Sequence, residues 1–160
     1  DVYESYQIPF NEQITGKVTR AIALLEEDET SDSLSLYLME ITNVNNYYPP
    51  NVTLKSMLSS GKIDLIDDFE LRKQLFDYDL TSNEAKAKGT LQVDFLLDRI
   101  IPFFLENLSS EGEVSLREGK KAQLTLLLSI YQGLIVGKVE EYKNVVEYAK
   151  EIEERLAMRK

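Results

Sequence analysis

The amino-acid sequence predicts an all-α fold: an antiparallel up-and-down helical bundle of three long helices plus short ones, ending in a long C-terminal helix. Three observations carry that expectation. Leu, Glu and Lys are frequent, and these residues favour helix. Only 7 Gly and 4 Pro occur in 160 residues, too few for a turn-rich β domain. From Leu124 onward apolar residues recur at alternating spacings of three and four, the period of a helix that buries one face. With 43% hydrophobic and 29% charged residues, the chain is expected to fold as one domain, residues 1–160, large enough to enclose a core.

Residues 1–9 mix Tyr3, Tyr6 and Ile8 with polar residues and read as a lead-in. Asn11 is placed to cap a first helix with Ile14, Val18, Ala21, Ile22 and Leu25 on one face. The period resumes at Leu34, Tyr37, Leu38 and Ile41, giving one long helix over about 10–43 with a break near 29–32. Asn43 to Asn51 is a loop, because the consecutive Pro49 and Pro50 forbid helix. Thr53 is expected to cap a short helix with Leu54, Met57 and Leu58 inward, and Gly61 to end it in the left-handed conformation. Ile63 to Ile66 reads as a buried link. Asp67 or Asp68 then caps a helix carrying Leu71, Leu75 and Tyr78.

Leu91, Phe95, Ile100 or Ile101, and Phe104 continue the helical period, and Pro102 should kink this element. Ser109 to Glu113 is a turn, and Ser115 opens the final helix. Its inward face is expected to be Leu124, Leu128, Tyr131, Ile135, Lys138 or Val139, Tyr142, Val145 or Val146, Ala149, Ile152 and Leu156. A helix of about 40 residues is roughly 60 Å long. The run Leu124–Val136, about 13 residues, is short for a bilayer and reads as core. Gly133 and Gly137, four apart, are expected to allow close approach to the first helix or a partner chain.

Composition removes several chemistries. The formal charge is −10, which repels phosphate backbones and argues against nucleic acid as a partner. There is no Cys and no His, so thiolate catalysis, Cys- or His-ligated metal and the commonest general base are all missing. Neither Glu26, Glu27, Asp28 and Glu29 nor Asp64, Asp67, Asp68 and Glu70 has the spacing of a calcium loop, and a di-iron bundle would need His. Ser60, Gly61 and Lys62 lack the first Gly and the trailing Ser or Thr of a phosphate loop. No catalytic residue, metal ligand or cofactor is assigned.

The stretch from Thr53 to Tyr78 carries the most specific pattern. Leu58, Ser60, Gly61, Lys62, Leu65, Ile66, Glu70, Leu71, Arg72, Leu75 and Tyr78 follow the order L-x-x-S-G-K-x-x-L-I-x-x-x-E-L-R-x-x-L-x-x-Y loosely at its start and closely thereafter. This resembles an uncharacterised bacterial family of membrane-anchored proteins with one N-terminal membrane helix and a helical soluble domain. The sequence departs in Asp68, where Asn is usual, and in Asp79, where a second Tyr is common. The resemblance implies an anchor preceding residues 1–9, an extracytoplasmic address on the periplasmic side, and no assigned reaction.

Within that motif Ser60, Gly61, Lys62, Glu70, Leu71, Arg72 and Tyr78 are read as structural, with Arg72 bridging two helices through a carboxylate. Tyr47, Tyr48, Pro49 and Pro50 are the candidate binding residues: they either form a recognition surface or plug the end of the bundle. The expected role is a non-enzymatic extracytoplasmic domain that binds a protein partner or senses a ligand. The alternative is a structural module that self-associates through the long final helix.

Overall fold

A computed structural model of the chain describes residues 2–27, 32–48, 51–107, 116 and 118–158. Among the described residues every regular element is helical, and the all-α expectation holds. The elements are a π-helical turn Tyr3–Gln7, α1 (Ile8–Glu26), α2 (Asp32–Glu40), α3 (Val52–Ser59), a 3-10 turn Lys62–Leu65, α4 (Phe69–Phe95), a second π-helical turn Leu96–Ile100, α5 (Ile101–Asn107) and α6 (Glu118–Ala157).

α6 is the axis of the molecule, with α4 on one side and α1 on another, while α2 packs on α1. The face read from its period is the one that is buried: Leu124, Leu128, Tyr131, Ile135, Lys138, Val139, Tyr142, Val145 and Val146. Burial fades beyond Ala149, and Leu156 is exposed. Of the buried face, Leu124, Leu128, Tyr131, Ile135 and Val139 join Ile14, Val18, Ala21 and Leu24 of α1, Leu34 and Leu38 of α2, and Leu96, Ile100 and Phe103 in the main core, while Tyr142, Val145 and Val146 pack with Tyr3 and Ala85 in a second cluster. By length and composition α6 would also serve to cross a membrane, its apolar window being longer than the Leu124–Val136 run suggests. Here its inward face is covered by α1, α2 and α4.

Three expectations are corrected. Residues 10–43 are not one helix. Lys17 Nζ lies 3.1 Å from Glu40 Oε2, whereas 23 residues of continuous helix would separate them by about 35 Å, so α2 folds back along α1. Of the expected break near 29–32, residues 29–31 lie outside the described residues and Asp32 opens α2. Ahead of Pro9, Tyr3 and Gln7 are buried in a helical turn. Asn11 therefore lies inside the helix, where its Nδ2 donates to Gln7 O at 2.7 Å instead of capping. Finally, α3 starts at Val52 after Asn51, so Thr53 is not its cap, and its inward residues Leu54, Met57 and Leu58 are only half-buried. The turn at 109–113 and Ser115 lie outside the described residues.

The two π turns share a cause. Each is followed by Ile-Pro-Phe: Ile8-Pro9-Phe10 and Ile101-Pro102-Phe103. A helical proline lacks the N–H for its own rung and its ring crowds the carbonyl four residues back. In both places the preceding Ile donates five residues back, Ile8 N–H to Tyr3 O and Ile101 N–H to Leu96 O. The widened turn makes room for the ring without ending the helix. The kink expected at Pro102 takes this form.

Candidate functional site

The Asn43–Tyr48 loop, the place of the sequence-derived candidates Tyr47 and Tyr48, is tied down on α4 and α6 by a buried polar network. Its hub is Lys138, which has 0% exposure. Its Nζ donates to Gln92 Oε1 of α4 and, at 2.9 Å, to Asn46 Oδ1 of the loop. It also lies 5.7 Å from the centroid of the Tyr142 ring, within cation–π reach. Gln92 Nε2 donates to the Tyr131 hydroxyl at 3.0 Å, and that hydroxyl donates to Ile41 O at 3.1 Å. Asn46 Nδ2 reaches Gly89 O at 3.4 Å. Among the described residues no carboxylate pairs with Lys138. Burial without a counter-charge lowers its pKa to about 8. Burial likewise raises the Tyr131 phenol, against a smaller lowering from the Gln92 hydrogen bond.

Beside this hub lies an aromatic cluster. Tyr3 stacks at a tilt on Tyr142, 4.7 Å between centroids, and meets Tyr47 edge-on at 6.3 Å. Tyr48 is half-buried and its hydroxyl passes over Gly89 toward Lys86 O, 3.5 Å away. A Cβ on Gly89 would lie 1.8 Å from that hydroxyl, so only glycine leaves the notch open. Burial first, and neighbouring phenols second, push Tyr3 and Tyr142 well above the ordinary tyrosine range. Gln7 Nε2 donates to Asn45 Oδ1 at 3.2 Å and Asn45 Nδ2 to the Tyr6 hydroxyl at 3.1 Å, fastening the loop to the first π turn. Tyr48 therefore serves as a plug, while Tyr47 keeps 38% exposure. Pro49 and Pro50 lie outside the described residues.

The motif residues of 58–78 are placed around the start of α4. Gly61 takes φ +70°, the left-handed stop expected of it. The Ser60 hydroxyl donates to Ser56 O at 2.7 Å, and Lys62 and Glu70 are exposed. Leu71 is buried and Tyr78 half-buried. Arg72 does not bridge helices through a carboxylate: its Nη1 donates to Asp64 O at 3.3 Å and its guanidinium lies 5.9 Å from the Phe69 ring. The interhelical fork belongs to Arg155, whose Nε and Nη2 donate to the two oxygens of Asp68 at 2.8 and 2.9 Å. Glu151, one turn before Arg155, accepts from Gln74 Nε2 at 3.2 Å. The same Asp68 caps α4 by accepting Leu71 N–H at 3.0 Å.

Two substitutions separate these jobs. Asp68→Asn keeps a cap acceptor and loses the ion pair, whereas Asp68→Ala loses both. Asp68→Ala should be less stable than Asp68→Asn by about 1 kcal/mol in urea unfolding. Equal stabilities would mean that the cap contributes nothing.

The surface adds a feature that the sequence reading missed. Leu91 was expected inward, but the buried face of α4 is Leu71, Thr81, Ala85, Gly89 and Gln92. The opposite face exposes Phe69, Phe76, Leu80 and Leu91 at 65, 50, 59 and 53%. These four fall within about 60° of the helix circumference. Small and polar residues face in because α4 packs closely on α6 and holds the Lys138 network. Of the two close approaches expected at the α6 glycines, the one to α1 is not formed. Gly133 is exposed with nothing near its missing Cβ, and Gly137 is met by the Lys88 side chain, 3.9 Å away, rather than by a backbone. Lys88 also pairs with Glu141 at 2.5 Å and so holds that carboxyl below its ordinary range.

Among the described residues no three carboxylates converge as a metal site would require. Compared with protein-family models, curated proteins and solved structures, the chain matches none.

Proposed function

We propose that this chain is a non-enzymatic binding domain that engages a protein partner through the outward face of α4. The inverted amphipathicity of that helix carries the reading. Large apolar side chains on a helix normally face the core. Here Phe69, Phe76, Leu80 and Leu91 face solvent while Gln92, Ala85 and Gly89 face in. An exposed apolar row of roughly 33 Å, 22 residues of helix, is what a protein interface uses as its centre. The proposal includes an extracytoplasmic address at a bacterial membrane, which rests on the resemblance of residues 53–78.

The test places a photo-crosslinking amino acid at position 76 or 80 of the full-length protein in cells, with position 123 as a control. Discrete adducts at 76 and 80 but not at 123 are expected. Adducts at neither stripe position, or the same adducts at all three, would count against the face. A reporter fused after Lys160 that works on only one side of the membrane tests the address, and a cytoplasmic signal would remove it.

A second reading, self-association through α6, is favoured by one observation. Leu126, Ile130 and Val136 on its outer face are 61, 43 and 50% exposed. Sedimentation equilibrium separates the two: a dimer abolished by Leu126→Asp with Ile130→Asp would select it, and a monomer at high concentration would end it.

A further inference from the structure

A groove along the seam of α1 and α6 stands apart from the α4 face. It comprises two adjoining depressions of about 600 and 420 Å³ that share Lys143. Ile8, Val136, Val139 and Val146 supply its apolar lining. Its walls are acidic: Glu4 and Glu12 on the α1 side, and Glu140, Glu147, Glu151 and Glu154 along α6.

The two cations in the groove are already engaged. Lys143 pairs with Glu12 at 2.8 Å and Lys150 with Glu4 at 2.5 Å. Both bridges neutralise the α1 wall. Among the described residues Glu140, Glu147 and Glu154 form no ion pair. Those three glutamates are spaced by seven, and so are Val139 and Val146 of the lining. A seven-residue interval along a straight helix rises about 10.5 Å and returns to nearly the same face. The α6 wall thus presents exposed carboxylates in a repeat above a narrow apolar floor, in which Val139 and Val146 keep 5% exposure each. That is the arrangement a helical partner reads with an apolar seam and flanking charges.

We propose that this groove binds a basic amphipathic α-helix of a partner protein. The partner helix lays an apolar seam on Ile8 and Val136, over the floor of Val139 and Val146. It carries Lys or Arg at seven-residue intervals opposite Glu140, Glu147 and Glu154. An acidic partner is repelled by the wall, and an anionic lipid surface or nucleic acid is repelled for the same reason.

The experiment uses the 160-residue chain and a fluorescent 21-residue model helix with Leu at its a and d positions and Lys flanking them. Two comparison peptides are needed: one with Glu in place of Lys, and one with the first peptide's residues scrambled so that charge is kept and the seam is lost. Anisotropy at physiological salt should show binding of the first peptide only. The variant Glu140→Gln, Glu147→Gln, Glu154→Gln should bind it about tenfold more weakly. A charge-matched variant on exposed positions elsewhere, Glu84→Gln, Asp94→Asn, Asp98→Asn, should bind it as the parent does. No binding of the first peptide overturns the proposal. Equal binding of the scrambled peptide, or equal weakening by the two triple variants, also overturns it, since either reduces the effect to net charge. Retained circular dichroism and melting temperature in both triple variants, all of whose sites are exposed, keep loss of fold out of the result.

Discussion

Between pH 8 and pH 10 this protein should become more stable, by about 2 kcal/mol. The cause is Lys138. Its folded pKa is depressed to about 8 from an ordinary 10.5. Below pH 8 both folded and unfolded chains hold the proton, so this group contributes no slope. Above pH 8 the folded chain releases it while the unfolded chain keeps it until about 10.5, and stability rises wherever the unfolded state binds more protons. Few other groups near the hub interfere in this window. The Lys88–Glu141 pair is one turn away, but the Glu141 carboxyl is held low and has finished titrating. The facing phenols Tyr131 and Tyr142 act later and with opposite sign. Their folded pKa values are raised, so above about pH 10 the unfolded chain ionises first and stability falls. The curve should therefore turn over near pH 10, on the alkaline side of the common optimum. Urea midpoints followed by circular dichroism at pH 8, 9 and 10 measure the rise. Lys138→Met should remove it while leaving the alkaline fall. A parent curve flat from 8 to 10, or a Lys138→Met curve that rises equally, would show that Lys138 is not held in the depressed state.

Gly89→Ala should cost about 1–2 kcal/mol, although alanine is the better helix former by about 1 kcal/mol. The new methyl would stand 1.8 Å from the Tyr48 hydroxyl and 3.1 Å from Cζ of that ring, so Tyr48 must leave its notch. Its departure loosens the loop at Asn46, which accepts from Lys138 and donates to Gly89 O. In a Tyr48→Ala background the obstacle is gone, and the nearest remaining atom is Asn46 Cγ at 3.4 Å. There the same change should stabilise the protein through helix propensity. The sign reversal is read from a double-mutant cycle in urea. Destabilisation of the same size in both backgrounds would mean that Tyr48 does not occupy the notch.

These two sites mark the boundary of what the sequence discloses. Where a single local rule governs, the structure follows it. The three-and-four spacing gives the buried face of α6, the left-handed position at the end of α3 goes to Gly61, and Asp68 caps α4. Lys138 was legible only as a member of that spacing, because its period fits the core although its charge does not. Its partners Asn46 and Gln92 come from distant stretches, and nothing local announces that their amides will meet it. The face of α4 was misread at Leu91 for a related reason: periodicity locates apolar residues and cannot say that an exposed row is kept for another surface. The reversal between α1 and α2 was hidden because both segments share one period, and a helical period carries no sign of a fold-back between its halves. Tyr48 was nominated for its aromatic loop, and the glycine that receives it lies 41 residues further on.

The paired Ile-Pro-Phe joints bear on how this chain tolerates changes in length. A π turn is an α-helix that has absorbed one additional residue, and everything beyond it is rotated by roughly 100° relative to an uninterrupted helix. Phe103, beyond the second of these turns, is buried in the core. Removing one residue between Leu96 and Ile100 would let the ladder close into ordinary helix and leave Phe103 in phase. Replacing Pro102 would leave the count unchanged but restore the missing donor, so the added residue could migrate along the helix. Proline thus acts as a stop on a sliding defect: it holds a one-residue insertion at a fixed address.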